Sequence, residues 1–118
     1  MHVTRLYAGS DGESHFEDTE IALKELGDVG ATSELIPATG LIVRTTGPDY
    51  PLTWHNAPRR QYVVMLSGGQ VEFEVGDGSK RVLGAGDILL AEDTTGRGHL
   101  SRAMDESTRV SLFIALPD

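Results

Sequence analysis

Apolar and polar residues alternate along several short stretches of the chain. Gln70–Val75, "QVEFEV", puts Val71, Phe73 and Val75 on one face and Gln70, Glu72 and Glu74 on the other. That period of two predicts a half-buried strand. "GDGS", Gly76–Ser79, predicts a hairpin turn, because Asp-Gly supplies the positive φ that such turns need. Lys80–Leu83, "KRVL", returns as the partner strand, "GAGD" turns the chain again, and Ile88–Ala91 is a short continuous apolar run. Leu41–Thr46 reads as a strand closed by the turn "GPDYP". Arg109–Leu116, "RVSLFIAL", is a final strand with Val110, Leu112, Ile114 and Leu116 on one face. Asp18–Leu26 is the one stretch with helical character. Its apolar residues Ile21, Leu23 and Leu26 hold no helical stripe over two turns, and Gly27 stops it. A strand over His15–Leu23 is the expectation there.

The 14 glycines fall between these stretches as punctuation, the habit of short strands joined by tight turns. No linker, low-complexity segment or internal repeat interrupts them. The 118 residues therefore predict one all-β domain, 1–118, built as a small barrel or jelly roll. A chain of this size buries roughly two-thirds of the surface it exposes when unfolded, enough for one core and a pocket.

Charge and composition narrow the function. The formal net charge of -8 repels a phosphate backbone, and Arg59 with Arg60 is too small a basic cluster for nucleic acid. No apolar run approaches the ~20 residues of a membrane span. The start, "MHVTRLYAGSDGESHF", lacks the apolar core of a signal peptide, so a cytoplasmic location is expected. Cysteine is absent, which removes disulfides, thiolate ligands and thiol nucleophiles.

Two segments carry candidate chemistry. In the first, "WHNAPRRQYVVMLSG", His55 is followed six residues on by Gln61 and, after an apolar strand, by Gly68. In the second, Gly86-Asp87 precedes an apolar strand, the loop "EDTTGRG" and His99. Together they resemble the two motifs of the cupin superfamily. The resemblance implies a double-stranded β-helix, a jelly-roll barrel, with a site inside it. It covers His55 to His99 in motif terms, and the flanking strands suit the same barrel. The family's first motif offers two histidines two apart and a glutamate four later. Here those positions hold His55, Ala57 and Gln61, and the second motif ends in His99 after a loop two residues longer than usual, with Glu92 in place of its proline.

The resemblance therefore implies an incomplete metal site of His55, Gln61 and His99. One divalent ion (iron, nickel, manganese or zinc) is one expectation, and no metal is the other. An amide is a poor substitute for a carboxylate, so two imidazoles and Gln61 leave such an ion's charge uncompensated. Without a metal, His55 and His99 suit proton transfer and Gln61 can orient a carbonyl or hydroxyl. The favoured function is non-redox acid/base chemistry on a small oxygenated organic molecule, of isomerase, cyclase or lyase type. A metal-dependent oxygenase and a non-catalytic small-molecule-binding module are the alternatives. Cupins commonly pair, so a homodimer is expected.

Other residues fill out the expected pocket. Val63 and Met65 share the face of Gln61, and Tyr62 points away. Of Arg59 and Arg60, only one can face inward; Arg59 is assigned to substrate and a surface ion pair is the competing role. Glu92 is assigned to substrate as well. In "EDTTGRGH", Glu92 or Asp93 would act on His99 as a nearby carboxylate; a solvated turn capped by Asp93 and Thr94 competes on equal terms. His15 shares strand parity with Ile21 and Leu23 and would enter the pocket, unless a bulge intervenes. The competing role for its segment is a charged edge strand. Trp54 is expected in the core or a dimer interface.

Overall fold

A computed structural model describes residues 1–118. Eleven strands follow in chain order: β1 (His2–Ala8), β2 (Ser14–Glu20), β3 (Lys24–Glu25), β4 (Ala31–Thr32), β5 (Gly40–Thr46), β6 (Gln61–Ser67), β7 (Val71–Glu74), β8 (Lys80–Leu83), β9 (Ile88–Glu92), β10 (Leu100–Ala103) and β11 (Arg109–Ala115). One 3-10 turn, Gly27–Val29, lies between β3 and β4. The chain is all-β, and no helix is long and apolar enough to cross a membrane.

A six-stranded sheet runs β2-β1-β9-β6-β11-β5 and a three-stranded sheet runs β10-β7-β8; β3 and β4 form a separate two-residue ladder. All named pairings are antiparallel except β1 with β9. The strands do not close into one continuous hydrogen-bonded barrel, contrary to expectation. Leu6, Val63, Met65 and Leu89 from the large sheet meet Val71, Phe73, Val75 and Leu83 of the smaller sheet and its turn in one buried cluster. The alternation of Gln70–Val75 sets this contact, since Val71, Phe73 and Val75 all point into it.

The strand expected over His15–Leu23 ends at Glu20. Residues 21–39 follow, mostly exposed. Ile21, Ile36 and Ala38 lie against the outer face of the large sheet and wall a hollow of about 230 Å3 there with Tyr62, Val64, Ile88 and Ile114. That face explains β11. Its apolar residues Val110, Leu112 and Ile114 lie on the outer side, and Arg109 and Ser111 are the residues buried inside. The parity is fixed by register, because Phe113 stands opposite Val63 on β6 and both line the inner face. β5 forms one edge of the large sheet, with Leu41, Ile42 and Val43 exposed.

Candidate functional site

The inner faces of β5, β6, β9 and β11 and the strands opposite enclose a cavity of about 410 Å3. Its apolar wall is made by Ile42, Ala57, Val63, Met65, Val71, Phe73, Leu89, Ala91 and Phe113. Its polar wall is made by His55, His99 and Gln61, with Arg44, Arg59, Arg109 and Tyr50. No Asp or Glu lines it.

The two motif histidines meet across the chain. His55 and His99 form an antiparallel bridge. The His55 amide donates to the His99 carbonyl at 3.1 Å and the His99 amide to the His55 carbonyl at 2.9 Å. Gly98 makes this approach possible. It has φ +82, and a Cβ there would collide with the His55 carbonyl, so only glycine fits both the conformation and the space. The ring centroids lie 4.4 Å apart.

Each ring is oriented through Nδ1. His99 Nδ1 donates to Asp93 Oδ2 at 2.5 Å, and His55 Nδ1 donates to the Thr53 carbonyl at 2.9 Å. A carbonyl and an ionised carboxylate only accept, so in both rings Nδ1 carries the hydrogen and Nε2 keeps the lone pair when the ring is neutral. Asp93 is fully buried, at 0% exposure, and His99 is 7% exposed. Asp93 is therefore the partner of His99 and not part of a solvated turn. The loop that carries it is pinned from the first motif. Asn56 Nδ2 is within hydrogen-bonding range of the carbonyls of Asp93, Thr95 and Gly96, at 3.1, 3.0 and 3.0 Å. Asn56 is a positioning residue that the motif pattern did not single out.

Gln61, Val63 and Met65 are buried on the cavity side, as their shared parity requires, and Tyr62 is on the outer face. Arg59 lines the cavity, and Arg60 instead donates Nε to Glu92 Oε2 at 2.6 Å. Tyr50 lines the cavity with its ring edge-on to His55 at 5.8 Å. Trp54 is half-buried under the Arg97 guanidinium, whose carbon is 4.0 Å from the ring centroid.

Two expected pocket residues lie elsewhere. Glu92 is absent from the cavity because Ala91 takes the inward position on β9 and Glu92 follows on the outer face. It accepts from both Arg5 and Arg60, each at 2.6 Å. Burial pushes its carboxyl up, but the bonds from Arg5 and Arg60 together outweigh burial and leave its pKa lowered. His15 is also outside the cavity. It faces Tyr7 across the β1–β2 ladder, and its neighbours Ser14 and Phe16 take the inward positions. Parity with Ile21 and Leu23 fails because both lie beyond the end of β2. The His15 ring bridges Asp11, at 3.1 Å, and Asp77, at 2.9 Å, and these two carboxylates raise its pKa.

The cavity's strongest unforeseen feature is Arg109, which the alternation of β11 had placed opposite the apolar stripe. It is 7% exposed, and its Nη1 is buried without a hydrogen-bond partner. Gln61 Oε1 and Asp93 Oδ1 are the other two buried side-chain atoms in that condition. Burial first, and Arg44 second, lower the pKa of Arg109, while Asp105 and Tyr50 act in the opposite direction.

The expected metal set, His55, Gln61 and His99, holds no carboxylate and no third imidazole. No cluster of three His, Cys, Asp or Glu side chains is placed to hold an ion. His55, Gln61 and His99 offer two imidazoles and a neutral amide, and three guanidinium groups share the cavity with them. Two imidazoles and a neutral amide, with neither a third imidazole nor a carboxylate, are a weak donor set for a divalent ion.

No family model matches the chain, and no curated protein matches it significantly.

Proposed function

We propose that this chain is a small cupin-type enzyme that moves protons on a small oxygenated organic molecule, as an isomerase, cyclase or lyase does. The observation that carries this reading is the bond between His99 Nδ1 and the buried Asp93 carboxylate at 2.5 Å, in the wall of a largely apolar cavity. The facing sheets and the meeting of the two motif segments at the His55–His99 bridge support a jelly-roll relationship.

In this reading, His99 begins neutral and its Nε2 takes a proton from the substrate. Asp93 opposes the positive charge that the ring gains and keeps Nδ1 as the donor. His55, anchored by the Thr53 carbonyl, begins as the imidazolium and gives its Nε2 proton to the substrate, ending neutral, from a ring 4.4 Å away, centroid to centroid. Gln61 Oε1 is buried without a partner and accepts from a substrate hydroxyl. The apolar wall keeps water from competing for the transferred proton.

The exposed apolar edge formed by Leu41, Ile42 and Val43 on β5 supports a homodimer built by a second copy on that edge. Light scattering on wild type and on a Leu41→Lys/Val43→Lys double variant checks this: a dimer and a monomer are expected, and a monomeric wild type contradicts it.

For the catalytic reading, affinity and turnover are compared in wild type and Asp93→Asn, using small hydroxy- and keto-compounds found to bind by thermal shift. Turnover should fall about 10²–10⁴-fold, the usual worth of acid/base catalysis, with affinity little changed. Compounds that bind tightly with no turnover in wild type would instead make the chain a binding module.

A further inference from the structure

We propose that Arg109 and Arg44 form a carboxylate-binding subsite in the cavity, so that the molecule bound there is a small organic acid with an apolar body. The inference rests on the cavity being the functional site and names the class of molecule it takes.

The pairing of the arginines points to it. The sequence holds 18 acidic residues and eight arginines. Arg5, Arg60, Arg81, Arg97 and Arg102 each form an ion pair with a carboxylate. The three that remain, Arg44, Arg59 and Arg109, are the three that line the cavity. None of the three is ion-paired, although Asp105 acts on Arg109 from a distance; burying Arg109 without a hydrogen-bonded carboxylate is costly unless a ligand supplies the anion.

Arg109 carries the argument furthest. Its side chain is more than nine-tenths buried and its Nη1 has no partner. Across the β11–β5 ladder, Arg109 stands opposite Thr46 and Ser111 opposite Arg44. The two arginines thus occupy diagonal positions on the inner face, about 7–8 Å apart at the backbone in a regular ladder. Arg44 lies over the rings of Tyr50 and Phe113, its guanidinium carbon 5.2 and 5.4 Å from their centroids. Such cation–π contacts hold the guanidinium beside the rings without using its N–H donors.

The anion is a carboxylate on two grounds. Phosphate sites are commonly built from helix N-termini or backbone nests; this chain has no α-helix, and its 3-10 turn lies outside the cavity. The rest of the lining is mainly apolar, with Val63, Met65, Val71, Phe73 and Leu89 facing about 410 Å3, which suits an acid with a hydrocarbon or aromatic body. Arg59, exposed at the rim, adds long-range attraction for an anion.

The test uses matched acids and amides (benzoate with benzamide, hexanoate with hexanamide) and inorganic phosphate, with affinities read by NMR titration of the whole chain. At least one acid should bind about 30-fold or more tightly than its amide, the scale set by leaving a buried charge unpaired. Arg44→Gln and Arg109→Lys should each remove most of that preference. Arg44 is only half-buried, and Arg109→Lys keeps the charge while losing the fork, so neither need disturb the fold; thermal melts check this. Equal binding of acids and amides, tighter binding of phosphate, or folded variants that keep the preference would each overturn the subsite. The same titration on His99→Gln separates the two proposals. Acid binding retained there, with no turnover of any acid by wild type, leaves the subsite standing and removes the catalytic reading. Turnover of neutral compounds alone does the reverse.

Discussion

The molecule holds two imidazole–carboxylate clusters, and they differ in what they leave free. At the surface, His15 uses both ring nitrogens, Nδ1 on Asp77 and Nε2 on Asp11. In the cavity, His99 uses Nδ1 alone, on a carboxylate with no exposure to water. A ring satisfied on both sides ties the loop after β1 to the β7–β8 turn and has nothing left to offer a substrate. A ring held on one side by a buried carboxylate is oriented and still has a lone pair to use. Residue type and ion pairing look alike in the two clusters; burial and the free nitrogen separate them.

The sharpest way to break this comparison is to neutralise each cluster in turn. His99→Gln should lower turnover by about 10²–10⁴-fold, while His15→Gln should leave it unchanged; steady-state kinetics on both variants checks this. Equal losses in the two would erase the distinction. The next effect concerns the backbone that brings the motif histidines together. Gly98→Ala puts a Cβ against the His55 carbonyl at a φ of +82 and should cost about 1–3 kcal/mol or more in denaturant unfolding. It should also lower turnover, because the bridge positions both rings. Asn56→Ala comes third. It removes the donor shared by three loop carbonyls and should cost about 0.5–1.5 kcal/mol, with hydrogen exchange rising in residues 93–98.

The smallest effect is electrostatic and belongs to the surface cluster. Asp11 and Asp77 raise the pKa of His15 in the folded chain. A raised folded pKa stabilises most below the unfolded value, about 6.5, and the gain is lost as pH rises through the folded value. Wild type should therefore lose some stability on going from pH 6 to above the folded pKa, and His15→Gln should lack that part of the slope. The loss should shrink in high salt, since the pair is exposed. Glu92 supplies the opposite sign. Its carboxyl is lowered, so its contribution is present above the unfolded carboxylate pKa and fades as pH falls through the folded one.

Much of the site was legible where strands alternate cleanly. Gln61 with Val63 and Met65 inside, Tyr62 outside, and Arg59 parted from Arg60 all follow from a period of two starting at a known inward residue. The pairing of His55 with His99, 44 positions apart in sequence, was legible only through the cupin resemblance. Three positions resisted for physical reasons. Glu92 follows a continuous apolar run, and a strand covered on both faces hides its own parity. His15 was placed by residues that turned out to lie past the strand's end. Arg109 was masked by its neighbours: Val110, Leu112 and Ile114 look like a core stripe, but they lie on the outer side, where Ile114 meets Ile21, Ile36 and Ala38, and Arg109 and Ser111 on the inner side border a cavity. A hydrophobic pattern marks a buried face without saying which of two buried faces holds the site.

The claim that His99 and Asp93 form a proton-transferring pair is tested most directly by solvent exchange. A compound that binds the cavity is incubated in D2O with wild type, His99→Gln and Asp93→Asn, and deuterium incorporation at carbon is followed by NMR. Exchange by wild type that drops about 10²-fold or more in both variants, with the compound still bound, is the predicted result. Exchange that persists at the wild-type rate in either variant would contradict the account.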